Sequence, residues 1–112
     1  MRKPHLTRRL ELEAPERVAD GAGGFSESWI ALGQLWADLQ PRSGRARSEA
    51  GIPISSTGFR VLVRAAPAGS TMRPGPGQRF RDGGRVFMIR AVTEFDPAGR
   101  FLLCFSDEEI AA

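Results

Sequence analysis

The sequence predicts an all-β fold, a small antiparallel β-barrel of about five to seven strands with one long projecting loop. Apolar and polar residues alternate in several short runs, which is typical of half-buried strands. Turn residues separate these runs, because the chain contains 13 Gly and 8 Pro, a composition that favours many turns over long helices. Closing the strands into a barrel would also remove edges that could aggregate.

The length of 112 residues predicts a single domain, residues 1–112, with a core that needs no disulfide. The one cysteine, Cys104, lies in the apolar run FLLCF and is expected in that core. No apolar run is long enough for a membrane helix, and no apolar stretch follows the basic N-terminus as in a secretory signal. We therefore expect a soluble protein without a membrane partner.

The first half of the chain contains one clear strand and one ambiguous segment. A strand is predicted over residues 7–14, ending at Pro15 because proline cannot donate to a strand ladder. Residues 25–40 could begin as a helix capped by Ser26. Alternation in the C-terminal half favours a long bent strand, or two short ones, with a bulge at Gly33.

The segment Pro41–Gly58 is far longer than a hairpin connection, which usually takes about 2–5 residues. Long loops in compact domains tend to carry function or to be disordered. Residues 45–50 would accept one or two helical turns, although an isolated helix of that length is marginal in water. The segment carries a cluster of arginines, Arg42, Arg45 and Arg47. It is the predicted projecting loop.

The second half is predicted to contain four strands, at residues 59–65, 78–81, 85–92 and 100–105. The turns Asp82-Gly83-Gly84 and Asp96–Gly99 have the residue types that hairpins require. The last strand is apolar on both faces, so we expect it to be central and covered on both sides. The acidic Ser106–Glu109 that follows is predicted to be an exposed tail.

The residues do not suggest an enzyme, a metal site or a cofactor. One histidine (His5) and one cysteine cannot make a zinc set. The acidic residues at 107–109 could touch a hard cation, but a solvated tail is the favoured interpretation. The basic composition, with net charge +3 and pI about 10.4, suits phosphate contacts but also fits coding bias in a GC-rich genome. Trp29 and Trp36 could stack on bases, although apolar packing is favoured.

Taken in order, several segments resemble the phage head–tail joining family, the head-closure or stopper proteins of tailed-phage necks. The resemblance covers nearly the whole chain and rests on the order and spacing of LTRRLELEAP, DGAGGFSESW, LWADLQPRSGR, TGFRVLVR, the Met72-Arg73-Pro74 connection, GGRVFMI and FLLCF. The arginine-rich composition is similar to versions carried by prophages and gene transfer agents.

The resemblance implies a barrel that assembles as a ring beneath the portal and its adaptor, joins tail proteins below and retains packaged double-stranded DNA. It implies a place in the neck of the particle, reached from the host cytoplasm during assembly. In the family the long loop points into the channel, which here would bring Arg42, Ser43, Arg45 and Arg47 close to DNA. Because the loop is rich in arginine and small residues, we expect it to grip phosphate rather than to act as an apolar plug.

Contacts within the ring or with other neck proteins are expected at exposed apolar positions, for which Leu6, Phe25 and Trp29 are the candidates. Two alternatives remain open at this point. The chain could be another neck component, an adaptor or a tail terminator, or it could be a free OB-like barrel that binds nucleic acid. An adaptor should be mainly helical, whereas an OB-like barrel should bind DNA as a monomer in a salt-dependent way.

Overall fold

The computed structural model describes residues 3–42, 47–49, 52–54 and 58–109, with residues 47–49 and 52–54 described by their backbone alone. The described residues form eight strands: β1 Arg8–Ala19, β2 Phe25–Pro41, β3 Arg47–Glu49, β4 Ile52–Ile54, β5 Gly58–Arg64, β6 Arg79–Asp82, β7 Arg85–Glu94 and β8 Phe101–Glu109. None of these residues belongs to a helix long and apolar enough to cross a membrane.

Six of the described strands close into an antiparallel barrel in the order β1-β2-β5-β8-β7-β6. The barrel closes where Glu11–Glu13 of β1 pair with Arg79–Arg81 of β6. The all-β prediction is confirmed, and β8 is central as expected, since it pairs with β5 on one side and with β7 on the other.

The barrel interior is filled by side chains from all six strands. Alternate residues point inward, as the pleat of a strand requires. The buried cluster comprises Leu10, Leu12, Ala37, Val61, Val63, Phe80, Phe87, Ile89, Leu102 and Cys104. The predicted core position of Cys104 is therefore confirmed, and no side chain in this cluster is more than 1% exposed.

The second strand is long and bent, as predicted. Leu12 of β1 pairs with Gly33, but the next residue, Glu13, pairs with Ala31, so β2 has one extra residue at this point. Gly33 has a φ of +154°, a conformation that L side chains rarely adopt, and the Met72 thioether occupies the space beside its Cα. The bulge at Gly33 is confirmed, and the alternative of a helix capped by Ser26 is wrong.

The prediction that Pro15 ends the first strand is wrong, because β1 continues to Ala19. Beyond Glu13, β1 pairs with β2 on one side and with no other strand among the described residues. Pro15 lies in this part of β1, where one edge of the strand is open. Proline is tolerated at such an edge because no neighbouring strand there needs its missing N–H group. The two strands therefore continue past the barrel as a two-stranded hairpin, which we call the arm (residues 14–31).

The predicted exposed tail Ser106–Glu109 is also wrong, because these residues are the second half of β8. Ser106 is fully buried, and Asp107 pairs with Gly58 of β5 and with Met88 of β7. The acidic side chains at 107 and 108 are paired with arginines, Asp107 with Arg42 and Arg90 and Glu108 with Arg85, so a short acidic run can end a central strand.

The predicted loop Pro41–Gly58 contains a small hairpin. β3 pairs with β4 in antiparallel register, from Arg47 opposite Ile54 to Glu49 opposite Ile52. The helical turns considered for residues 45–50 are therefore wrong for 47–49, the part of that stretch that the structure describes. The other two hairpin turns are confirmed, since Asp82 pairs with Arg85, and Gly99 N donates to Asp96 O at 2.9 Å.

Candidate nucleic-acid interface and protein-contact arm

Arg42 fastens the base of the projecting loop to the barrel. Its backbone N donates to Gly58 O at 2.9 Å. Its Nη2 donates to Asp107 Oδ1 at 2.7 Å and to the Ser106 carbonyl at 3.4 Å. The guanidinium lies across Gly58, where a Cβ atom would overlap it. Arg42 therefore lies at the start of the loop, and its side chain ties the loop base to β8.

The remaining predicted loop residues are placed only in part. Ser43 and Arg45 lie outside the described residues, and Arg47 is the first residue of β3, described by its backbone. Their proximity to DNA stays a prediction.

Two further arginines lie on the outer surface of the barrel beside the loop base. Arg60 of β5 is exposed and stands in register between Gln40 of β2 and Phe105 of β8. Arg90 lies at the register shift of β7 and donates its Nε to Asp107 Oδ2 at 3.0 Å. Neither arginine was among the predicted site residues, because sequence alternation shows only that they point outward.

We call Arg42, Arg60 and Arg90 the basic patch. Within the described residues its one ion-paired carboxylate is Asp107, which both Arg42 and Arg90 share. Arg60 has no carboxylate within salt-bridge distance in the described part of the chain. A surface cavity of about 350 Å³ lies beside it, lined by Gln40, Pro41, Arg42, Arg60 and Phe105.

The opposite side of the barrel has balanced charge. Along β1 and β6, Arg8 bonds Asp82, Arg81 bonds Glu11, and Arg79 bonds Glu13. On this side, which we call the balanced wall, three of the four arginines therefore have a carboxylate, and the fourth, Arg9, bonds the amide oxygen of Gln34.

A buried carboxylate fixes the base of the arm. Glu13 is 3% exposed and accepts a hydrogen bond from Arg79 Nε at 2.7 Å, with Arg81 Nε at 3.5 Å from its other oxygen. Burial raises the pKa of Glu13, but the hydrogen bonds and the two positive charges outweigh burial, so the pKa lies below its usual value. The Arg79 guanidinium also stacks on the ring of Trp29, 4.1 Å from its centre.

The arm exposes apolar side chains beyond this base. Phe25 is 63% exposed, Val18 45% and Ile30 42%. The Arg17 guanidinium covers one face of Phe25 at 4.6 Å. Isolated two-stranded ribbons are marginally stable in water, so an arm of this kind gains from contact with another surface.

The three predicted contact residues lie in two places. Phe25 and Trp29 share the arm, Phe25 exposed at its tip and Trp29 partly covered by Arg79. Leu6 is half-buried before the other end of β1, in a segment held to β2 by a hydrogen bond from His5 N to Asp38 Oδ2 of 3.0 Å. The structure thus brings two of the three together.

Catalytic or metal chemistry has little support in the described part of the chain. No group of three or more His, Cys, Asp or Glu there could hold a metal ion. Burial raises the pKa of the Cys104 thiol to about 12, so it is a poor nucleophile at neutral pH. Glu108, considered for a cation, instead accepts two hydrogen bonds from Arg85, at 2.8 and 3.0 Å, which lower its pKa.

Comparison with known proteins identifies a family and a similar solved structure. The family model described as phage head completion protein matches residues 1–109. Among solved structures, the chain is similar to a chain in the virion of a native gene transfer agent (GTA) particle, with 46% sequence identity and a TM-score of 0.80. That match covers 97% of this chain and 100% of the other. No curated protein matches the sequence.

Proposed function

The chain belongs to the phage head completion protein family, and from this we propose that it is a structural connector between the head and tail of a gene-transfer-agent or phage-like particle. The family match along residues 1–109 carries the proposal. The role is head closure, in which the chain acts as one domain in the neck of the particle and catalyses no reaction. Before assembly the chain resides in the host cytoplasm.

The proposed assembly is a ring beneath the portal and its adaptor, with tail proteins attached below. A ring needs a heterologous interface, in which one surface of a subunit meets a different surface of the next. The exposed arm, with Phe25 at its tip, supplies one such surface. The arm is also long enough to reach beyond its own barrel, because strands rise about 3.3 Å per residue.

The proposed retention of DNA depends on the segment between Arg42 and Gly58. Both of its ends are held to the barrel, by the hydrogen bond from Arg42 N to Gly58 O and by the bond from Arg42 Nη2 to Asp107. Ring symmetry multiplies each arginine of the segment, and even one phosphate contact per subunit then gives a strong, sequence-independent attraction that weakens with salt.

The test is to produce particles without this chain. We expect heads that package DNA but lose it, and that do not join tails. DNA resistant to DNase per particle measures retention, and electron microscopy counts tailed particles. Restoring the wild-type chain is the control. Particles that keep DNA and carry tails without the chain would overturn the proposal.

A further inference from the structure

We propose that the basic patch is a phosphate-binding site that contacts the packaged double-stranded DNA, with Arg60 as its principal free donor. The inference rests on the proposed function and deepens it. It adds a site on the barrel itself to the loop arginines and identifies the side of the barrel that faces the channel.

The positions of the three arginines support a shared site. Gln40, Arg60 and Phe105 stand side by side on β2, β5 and β8, and Arg90 follows on β7. Neighbouring strands are about 4.8 Å apart, so Arg60 and Arg90 are separated by roughly 10 Å of sheet. Arg42 enters the same surface from the loop base. A phosphate backbone lying across this surface can meet all three.

The charges of the patch distinguish it from the rest of the barrel. In the patch Arg42 and Arg90 share Asp107 and Arg60 has no carboxylate partner among the described residues, whereas Arg8, Arg79 and Arg81 of the balanced wall each bond a carboxylate. An arginine already bonded to a carboxylate is partly neutralised and has fewer free N–H donors to offer a phosphate. Arg60 has no such bond to break within the described residues, and its planar fork matches the geometry of phosphate oxygens.

The surroundings of Arg60 also suit a partner that arrives from outside. The adjacent cavity is lined by the amide of Gln40 and the half-buried ring of Phe105. The amide nitrogen of Gln40 donates to Asp38 Oδ2 at 3.0 Å, so Gln40 holds a fixed orientation beside Arg60. A guanidinium on a rigid sheet next to the projecting loop would meet the same DNA that the loop meets.

This assignment orients the subunit. The outer face of β5 and β8 at the loop end faces the channel, and the balanced wall of β1 and β6 faces away from DNA. The arm, which continues β1 and β2 from the barrel's other end, is then free to contact protein.

The experiment compares particles that carry Arg60→Gln, Arg60→Lys or Arg64→Gln. Arg64 is a matched control, since it is exposed on the same face of the same strand, about 13 Å farther along. It stacks on Phe101 and has no carboxylate partner among the described residues. DNase-resistant DNA per particle is measured across a salt series, and tailed particles are counted.

We expect Arg60→Gln to lower protected DNA several-fold at low salt, with a deficit that shrinks as salt rises, because salt weakens the phosphate contact that the variant lacks. Arg60→Lys should keep most of the protected DNA, because a lysine still supplies a positive charge. Arg64→Gln should protect as much DNA as the wild type. The thermal midpoint of purified Arg60→Gln protein should be unchanged, which separates binding from folding.

Four outcomes would overturn the inference. Equal losses for Arg60→Gln and Arg64→Gln would indicate a general charge effect. Loss of tails with DNA retained would indicate that the patch binds an acidic neck protein. Normal DNA retention in Arg60→Gln particles, while particles without the chain lose DNA, would contradict a role for the patch and leave the proposed function intact. DNA retention in particles without the chain would contradict both the role of the patch and the proposed function.

Discussion

The two ends of β2 lead into regions of opposite character. At the N-terminal end, from Phe25 to Ala31, β2 forms the arm with β1 and exposes apolar side chains. At the C-terminal end, Pro41 leads into the projecting loop beside the basic patch. The arm has an apolar surface with few fixed ion pairs, whereas the patch has three arginines and one ion-paired carboxylate, Asp107, which Arg42 and Arg90 share.

This difference indicates that the regions at the two ends of β2 suit different binding partners. Apolar area is best suited to contact with folded protein, because its burial depends on shape. Arginine without a carboxylate partner is best suited to phosphate, because DNA presents dense charge with little demand for shape. A protein in the proposed head-closure role has to contact both kinds of partner, and the barrel keeps the two surfaces apart.

The largest effect is expected when residues 43–57 are replaced by a two-residue turn. Arg42 N and Gly58 O are already hydrogen-bonded, so a short turn can join the two strands without disturbing the barrel. Circular dichroism should show an intact β fold, while particles should lose almost all DNase-protected DNA. A chain that no longer folds would show that the segment belongs to the core.

A smaller effect is expected when the carboxylate at the arm base is neutralised. Glu13→Gln should lower the free energy of unfolding by about 2 kcal/mol, because Arg79 and Arg81 lose their buried charged acceptor. Urea denaturation measures this change. Glu16→Gln, on an exposed position of the same strand, is the control and should cost less than about 0.5 kcal/mol.

The same variant should change how stability depends on pH. The pKa of Glu13 is lowered by folding, so its contribution is complete above the unfolded value near 4.5 and is lost as pH falls through the lower folded value. The gap between wild type and Glu13→Gln should therefore be widest near neutral pH and close in acid. A gap that stays constant down to pH 3 would contradict the lowered pKa.

The arm itself is tested with Phe25→Ser, which removes its most exposed apolar side chain. Stability should change by less than about 0.5 kcal/mol, since the ring contacts little of its own barrel. Particle assembly should fall several-fold, with free heads accumulating. Trp36→Ser, at a 55% exposed position on the barrel, is the matched control. Equal defects in the two variants would mean that the arm has no special role in contacts between proteins.

The smallest effect is expected for Gly58→Ala at the loop base. The new Cβ would displace the Arg42 guanidinium from Asp107, but that group ends a flexible side chain and can move. We expect a cost below about 1 kcal/mol, which should vanish in an Arg42→Ala background because the two residues are in contact. A full cost in both backgrounds would mean that the backbone, not the Arg42 side chain, requires glycine.

The strands and their turns could be predicted because their causes are local. Alternation identified the core faces of β5 and β8, and Asp-Gly and Asp-Pro turns identified the hairpins. The strand ends were less accurate, since Pro15 and the acidic Ser106–Glu109 are tolerated for reasons that depend on neighbouring strands. An edge accepts proline, and a central strand accepts acidic residues whose charges are paired with arginines of the same barrel.

The amino-acid sequence by itself determined the all-β class, the bulge at Gly33, the core position of Cys104 and the long connection between β2 and β5, because each follows from period, backbone preference or length. The tertiary structure alone decided which charges meet. It shared Asp107 between Arg42 and Arg90, left Arg60 without a carboxylate partner among the described residues, and buried Glu13 beneath Arg79. Such pairings join residues distant in sequence, so they depend on strand order and register, which no local pattern contains.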